Sequence, residues 1–356
     1  MTIQGSAIFG GGTSADGVTI AGLTAQIVGD RTNASYIVVR SSLGPFDLSS
    51  TTGDVVVTGN TGVETTLLNG FTYSLVTSLE PSSGQGGTLV TISGIALTGD
   101  DSSVASATIA GITSSVISQN STVVVLQAGA RSNGARETGT IRLSLADGAV
   151  VVSVGLADSS EVHEFTYEVA GAIDSVSPAR GQVDTLVTIV GSQLFGYGSS
   201  LNSVTIDGVE VNSIVAQNTT YVVVRAGPNN ASSASTVTLV SDTGAIVSRD
   251  SMFEYVGVGN ITNVDPTLGQ QNTVVTISGA HLLSGANSLS SVTLAGVEVK
   301  QIVSATSTSV VVVASLGLTE GAGDIVLSSL DGASVTPTNG FASVDVPTLT
   351  SVTPNS

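Results

Sequence analysis

Few side chains in this sequence have the type and spacing that catalysis or metal binding requires. Its two histidines, His163 and His281, have no cysteine, second histidine or motif-spaced acid nearby, although His163 lies between Glu161 and Glu164. A zinc site or a catalytic triad needs several such groups to converge. The G-x-S-x-G, P-loop and H-E-x-x-H patterns are absent as well. We therefore expect a protein that is not an enzyme and that binds no metal or cofactor.

One acidic segment could in principle bind calcium. Gly99-Asp100-Asp101 offers carboxylates and turn carbonyls, which are the ligands that Ca²⁺ prefers. The segment lacks EF-hand spacing, and the other repeats of the chain do not share it. We interpret it as a charged loop tip.

Asparagine sequons are the clearest modification signal. Asn-x-Ser/Thr occurs at five places: Asn33, Asn120, Asn218, Asn230 and Asn260. Asn33, Asn120 and Asn218 precede a Val-rich strand at the same point of three repeats. Asparagine followed by Ser or Thr is also ordinary turn chemistry. Both interpretations stay open, and covalent glycans are expected only in a host with the machinery for N-glycosylation.

Composition excludes several classes of protein. The chain has 9 basic and 27 acidic residues, a formal net charge of −18 and a pI of about 4.1. Such a surface repels phosphate backbones, so we expect no nucleic-acid partner. Charged residues are only 10% of the chain and mean hydropathy is +0.42, so Ser, Thr, Asn and Gly must form much of the surface. This favours an extracellular or cell-surface protein.

Neither a membrane segment nor a disulfide framework is visible in the sequence. Its apolar runs are short and are interrupted by Ser, Thr or Gly, so we expect no membrane insertion. Residues 1–20 do not have the pattern of a signal peptide. Cysteine is absent, so no domain can hold its two sheets together with a disulfide.

Internal repeats dominate the sequence. A Thr-Ile-x-Gly segment lies near the start of each of four repeats, and its glycines are Gly5, Gly94, Gly191 and Gly279. An apolar-x-Pro opening precedes the last three copies and occurs once more near the C-terminus; its prolines are Pro81, Pro178, Pro266 and Pro354. These prolines are 97, 88 and 88 residues apart. That spacing is the size of one immunoglobulin-like sandwich.

Strand signals fill each repeat. In the repeat that begins near residue 171, Asp207-Gly208 separates two alternating apolar segments, which predicts a β-hairpin. The repeat closes on Phe253 and Tyr255, and seven or eight short strands are expected within it. The fold class is therefore all-β: tandem immunoglobulin-like β-sandwiches arranged as a rod.

These motifs resemble the IPT/TIG family of immunoglobulin-like domains. The resemblance rests on the proline opening, a glycine a few residues later, the Thr-x-Val-Thr-Ile-x-Gly strand and the Val-Thr-Ile-x-Gly-Val hairpin; the glycines in question are Gly84, Gly181 and Gly269. It implies the sandwich fold throughout the chain. It does not imply one function, because the family includes adhesive, DNA-contacting and accessory sugar-binding members.

The repeats predict five segments. Residues 1–73 form an IPT/TIG domain that lacks its first strand, whereas 74–170, 171–258 and 259–346 form complete domains. Residues 347–356 have the sequence of a first strand.

A sandwich without its first strand exposes an edge that can accept a strand from another chain. We expect Thr2, Ile3 and Gly5 to form the acceptor edge, and the segment with Leu349, Val352 and Pro354 to form the assembly strand. The predicted function is a structural subunit of an extracellular filament, with copies of itself as partners in a head-to-tail homopolymer. The alternative is an excised part of a longer cell-surface adhesin or carbohydrate-binding stalk, in which a loop aromatic such as Tyr197 would contact the ligand.

Overall fold

The computed structural model describes residues 1–41, 51–99, 103–131, 134–153, 163–317, 320–337 and 340–344. Throughout these ranges the regular elements are β-strands, which confirms the all-β prediction. Within the same ranges, no helix has the length and apolar character needed to cross a membrane. The chain divides into two compact units, Met1–Val169 and Ala170–Ser356. We refer to residues 1–73, 74–170, 171–258 and 259–346 as the first to fourth domains.

The strands of the first unit alternate apolar and polar side chains, as one-face burial requires. The first domain contains β1 (Thr2–Gln4), β2 (Ala15–Ile20), β3 (Leu23–Thr24), β4 (Gln26–Asn33), β5 (Tyr36–Arg40), β6 (Thr52–Gly59) and β7 (Glu64–Thr72). The second contains β8 (Leu75–Glu80), β9 (Ser83–Gly84), β10 (Leu89–Ile95), β11 (Val104–Ile109), β12 (Ile112–Gln119), β13 (Val123–Gln127), β14 (Glu137–Leu145), β15 (Val150–Val152) and β16 (Glu164–Tyr167).

The second unit repeats this order. The third domain contains β17 (Ala172–Ser177), β18 (Arg180–Gly181), β19 (Leu186–Ser192), β20 (Leu201–Ile206), β21 (Val209–Glu210), β22 (Ser213–Gln217), β23 (Tyr221–Arg225), β24 (Ser232–Ser241) and β25 (Ile246–Tyr255). The fourth contains β26 (Asn260–Asp265), β27 (Leu268–Gly269), β28 (Val274–Ala280), β29 (Leu289–Leu294), β30 (Val297–Glu298), β31 (Gln301–Ala305), β32 (Ser309–Val313), β33 (Gly321–Gly323), β34 (Ile325–Ser329), β35 (Ser334–Val335) and β36 (Phe341–Ser343).

The third domain shows the sandwich most simply. One sheet has the order β17-β19-β23-β22, and the other has the order β18-β25-β24-β20-β21. Val187 and Ile189 of β19 and Val222 and Val224 of β23 are fully buried between the sheets. Each side chain of this size contributes about 1.5–3 kcal/mol when it is buried. The predicted hairpin at Asp207-Gly208 joins β20 to β21, and both residues have positive φ, of 58° and 74°.

The third domain has more strands than the seven or eight expected from the sequence, because its opening strand is split in two. Strand β17 pairs antiparallel with β19, whereas β18 pairs parallel with β25 in the opposite sheet. Pro178 lies between the two segments. Proline has no N–H and cannot continue a strand ladder, so the chain changes sheets there and the third domain has nine strands. Strands β8 and β9, and β26 and β27, repeat the arrangement around Pro81 and Pro266.

Each domain has its own hydrophobic core in the described part of the chain. The closing aromatics stack edge to face in three domains, with 5.1 Å between the ring centroids of Phe253 and Tyr255. The hydroxyl of Tyr255 is buried and has no hydrogen-bond partner among the described residues. Burial, helped by the negative charge of Asp207, raises the pKa of Tyr255 to about 12.

Candidate assembly edge of the first domain

Strand β1 occupies the position of the second strand of a complete sandwich. It pairs with β5 through Thr2↔Val38 and Ile3↔Ile37. Strands β10, β19 and β28 make the same pairing in the other domains, and each carries a first strand on its opposite edge: β8, β17 and β26. The sheet of the first domain has the order β1-β5-β4. Among the described residues, no strand covers the outer edge of β1.

The glycine of the Thr-Ile-x-Gly motif makes room for that first strand. A Cβ added at Gly94, Gly191 or Gly279 would lie 2.1 Å from a carbonyl oxygen of the first strand. At Gly5 the added Cβ meets only the Cγ2 atom of Ile8, at 2.6 Å. The contact at Gly5 is thus with a core side chain, whereas the contact in the other three domains is with a backbone carbonyl. The first domain thus has a glycine at this position, Gly5, although none of its described residues places a carbonyl beside it.

Part of the first core is exposed along the same edge. Ile3 is partly exposed, whereas the corresponding Ile92, Ile189 and Ile277 are 0% exposed. Phe71 is also only partly buried, whereas Phe253 at the same position is 2% exposed. This strip is what the first strand covers in a complete domain.

Leu67 lies at a position whose counterparts in the third and fourth domains lie against the first strand. Counted back from the closing phenylalanine, its counterpart in the third domain is Arg249, whose Nη1 donates to the carbonyls of Ile173 and Asp174 at 2.6 and 2.8 Å. Its counterpart in the fourth domain, Pro337, lines a groove with residues of β26. In the first domain this position is an apolar side chain that is 61% exposed.

The predicted assembly strand lies outside the described residues, so the positions of Leu349, Val352 and Pro354 are not described. Their counterparts in the third domain are Ile173, Val176 and Pro178. Ile173 and Val176 are 2% and 8% exposed and belong to the core. Ile173 pairs with Gly191 and Val176 with Ile189.

Three of the five predicted sequon asparagines support turns. Asn218 Oδ1 accepts hydrogen bonds from Thr220 N, Thr220 Oγ1 and Tyr221 N at 2.7–2.9 Å. Asn120 makes the same three contacts, and Asn33 accepts from two backbone N–H groups. Asn33, Asn120, Asn230 and Asn260 are exposed, and Asn218 is partly exposed. These hydrogen bonds support the turn interpretation at Asn33, Asn120 and Asn218. Glycosylation stays a prediction.

The remaining polar candidates do not converge on a site. His163 is partly buried just before β16, and His281 lies against the backbone of Gly257. Asp100 and Asp101 lie outside the described residues. Within the ranges that the structure describes, no group of three His, Cys, Asp or Glu side chains could hold a metal ion.

A glutamine that the sequence interpretation did not use holds two domains together. Gln182 is 1% exposed, and its amide accepts a hydrogen bond from Gly259 N at 2.8 Å and donates one to Ser334 O at 3.1 Å. The signal that could have found it is the repeated dipeptide Gly-Gln, present also as Gly84-Gln85 and Gly269-Gln270.

Comparison with known families agrees with this architecture. Residues 74–166 and 172–255 match the IPT/TIG domain. This chain is a tandem IPT/TIG protein. The matched segments begin at β8 and β17 and end at the closing aromatics, and the fourth domain repeats the same order of strands. A search of curated proteins found no match.

Solved structures of other multidomain proteins resemble the chain at low identity. The full extracellular region of plexin A4 aligns with 92% of this chain and 34% of its own, at 15% identity and a TM-score of 0.35. The chain thus spans about a third of that plexin. A Bacteroides ovatus SGBP-B in complex with a mixed-linkage heptasaccharide covers 74% of this chain and 66% of its own, at 14% identity and a TM-score of 0.22. The eight N-terminal Ig domains of DSCAM cover 92% and 44%, at 11% identity and a TM-score of 0.22. Similarities in this range transfer no ligand or partner to this chain.

Proposed function

We propose that this protein is a structural subunit of an extracellular or cell-surface filament. Copies join head to tail when residues 347–356 of one copy add to β1 of the next and complete its first domain. The observation that carries the proposal is the edge of β1, where Gly5 leaves room for a carbonyl and Ile3 is partly exposed.

The register follows from the complete domains. Leu349 would pair with Gly5 and Val352 with Ile3, as Ile173 and Val176 pair with Gly191 and Ile189. Burial of the two side chains contributes about 1.5–3 kcal/mol each. Backbone hydrogen bonds add about 0.5–1.5 kcal/mol each. The donor and acceptor surfaces differ, so the contact propagates as an open polymer.

An extracellular location is part of the proposal. A surface rich in Ser, Thr and Asn with few charges supports it, as do the sequons. Carboxylates outnumber basic groups three to one, so the surface does not suit a nucleic-acid partner.

The test is sedimentation and electron microscopy of the full chain and of a chain that ends at residue 346, over the same range of concentration. We expect polymers from the full chain and monomers from the shortened one. If the shortened chain polymerises as well, or if the full chain stays monomeric, the proposal is wrong.

A further inference from the structure

The junction between the third and fourth domains consists of a receiving end and a docking end. The receiving end belongs to the third domain and comprises Gly181, Gln182 and Leu186. Gln182 is buried and uses both atoms of its amide across the junction, accepting from Gly259 N and donating to Ser334 O. Since a buried amide is costly to leave unpaired, this contact fixes how the two domains meet.

The docking end belongs to the fourth domain and comprises Gly285 and the turn at residues 330–334. Asp331 O accepts a hydrogen bond from Leu186 N at 2.6 Å. A Cβ added at Gly332 would lie 3.7 Å from the Cβ of Leu186, and one added at Gly285 would lie 3.1 Å from the Cα of Gly181. Apart from the side-chain amide of Gln182, this contact is therefore made largely by backbone atoms.

The fourth domain has a receiving end of its own, at Gly269, Gln270 and Val274. Gln270 N donates to Thr273 Oγ1 at 3.0 Å, the same local bond that Gln182 makes with Thr185. However, Gln270 Oε1 is buried and has no hydrogen-bond partner among the described residues. Val274 is 55% exposed, compared with 36% for Leu186.

The sequence explains why Gln270 lacks one of the hydrogen bonds that Gln182 makes. Val256 N donates to Gly181 O, and Val344 N donates to Gly269 O. The segments that follow Val256 and Val344 thus correspond. The counterpart of Gly259 is then residue 347, which is proline. Because proline has no N–H, it cannot supply the hydrogen bond that Gly259 gives to Gln182.

The first domain carries the matching docking end. The turn at residues 60–64 is closed by the same backbone hydrogen bond as the turn at residues 330–334. Gly59 N donates to Val63 O at 2.9 Å, and Ser329 N donates to Ala333 O at 2.8 Å. Gly62 and Gly332 have φ of 79° and 86°. Gly11, the counterpart of Gly285, has φ of 89°.

This docking end is open within the part of the chain that the structure describes. A Cβ added at Gly11 or Gly62 would meet no atom within 4 Å, whereas Gly285 and Gly332 are both in contact with the third domain. The first domain thus has the shape of a docking end, and the fourth has the shape of a receiving end with a buried oxygen that no described residue pairs.

We propose that the receiving end of the fourth domain (Gly269, Gln270 and Val274) binds the docking end of the first domain (Gly11 and residues 60–64) of a second copy. The inference rests on the proposed function and adds a second contact beside strand complementation. Gln270 would donate to the carbonyl of Glu64, and Val274 N to the carbonyl of Thr61, as Gln182 and Leu186 do to Ser334 and Asp331. The contact offsets part of the entropy cost of association and fixes the angle between successive copies.

Disulfide trapping tests the contact directly, because the native chain has no cysteine. The double variant Val274→Cys/Gly62→Cys should give a ladder of covalent oligomers on a non-reducing gel. Leu186→Cys/Gly332→Cys is the intramolecular reference, since a Cβ–Cβ distance of 3.7 Å suits a disulfide. The matched control is Val274→Cys/Gly22→Cys. Gly22 has a similar φ of 77° and open surroundings, but it lies at the opposite end of the same sheet.

A second measurement does not depend on cysteines at positive φ. Gln270→Leu should raise the critical concentration for polymerisation about fivefold, the effect of losing one net hydrogen bond. Gln301→Leu, the same change at an exposed strand position, should leave it unchanged.

The outcomes separate this inference from the proposed function. A ladder from the Val274/Gly62 pair and none from the Val274/Gly22 pair supports the contact. If the native chain polymerises but both pairs give equal ladders or none, and Gln270→Leu behaves like Gln301→Leu, the docking contact is overturned and strand complementation stands. If the native chain does not polymerise at all, the proposed function itself fails.

Discussion

A Cβ on Gly191 would lie 2.1 Å from the carbonyl oxygen of Ala172, so glycine at this position is required by the first strand of the domain. The same relationship joins Gly94 to Leu75 and Gly279 to Asn260. Gly5 is the fourth glycine of the series. An added Cβ at Gly5 meets no backbone carbonyl among the described residues, and this open position is the physical basis of the proposed assembly.

Gly5→Ala should weaken polymerisation and leave the monomer folded. Within the monomer the new methyl group meets only Cγ2 of the core residue Ile8, whereas in the polymer it would also collide with the carbonyl of an incoming strand. We expect the critical concentration to rise at least about tenfold, equivalent to about 1.4 kcal/mol. Light scattering against concentration measures it. Gly17→Ala is the control, because a Cβ there meets no atom within 4 Å; equal behaviour of the two variants would contradict the account.

Val352→Asp should weaken the joint between copies. The counterpart of Val352 in the third domain, Val176, is 8% exposed, so the substitution would bury an unpaired carboxylate. Polymers should disappear at concentrations at which the native chain forms them, as seen by sedimentation. Ser351→Asp adds the same charge at a position whose counterpart, Ser175, is exposed. That variant should still polymerise, and a loss of polymers in both would point to charge alone.

Asn218→Ala should destabilise the third domain by about 1 kcal/mol, because three hydrogen bonds to its Oδ1 hold the turn between β22 and β23. Denaturant unfolding measures the change. Asn260→Ala alters another sequon asparagine, whose exposed side chain supports no such turn among the described residues, and it should have little effect. If the two variants unfold alike, the side chain of Asn218 does not stabilise the turn.

Tyr255 makes the third domain sensitive to alkaline pH. Its pKa in the folded protein is about 12, above the ordinary value of 10, because burial disfavours the phenolate. The stabilising effect of the neutral phenol is therefore complete below pH 10, and it is lost as the pH rises from about 10 to about 12. The free energy of unfolding should fall by up to about 3 kcal/mol over this range.

Tyr255→Phe is the matching variant. It removes a buried hydroxyl that has no partner among the described residues, so stability at pH 7 should be unchanged or higher. The alkaline loss in this domain should shrink. Urea unfolding at pH 7 and pH 11 compares the two proteins, and an equal alkaline loss in both would show that other groups cause it.

The sequence predicts the regular parts of this fold because local chemistry determines them. Alternating valines give the buried strands, and Asp207-Gly208 gives a hairpin whose two residues both have positive φ. The division of the opening strand was not predicted, because it depends on which sheet each side of Pro178 can reach. Gln182 was also missed: the repeated Gly-Gln dipeptide marks its position, but its partners are backbone atoms 77 and 152 residues away.

Binding of a peptide with the sequence of residues 347–356 to the chain that ends at residue 346 is the most direct test of strand complementation. Calorimetry should show saturable one-to-one binding that is lost when either the chain carries Gly5→Ala or the peptide carries Val352→Asp. Hydrogen exchange should slow in β1 when the peptide binds. If the peptide does not bind, or if it binds equally well to the Gly5→Ala chain, β1 does not accept this strand and the account is wrong.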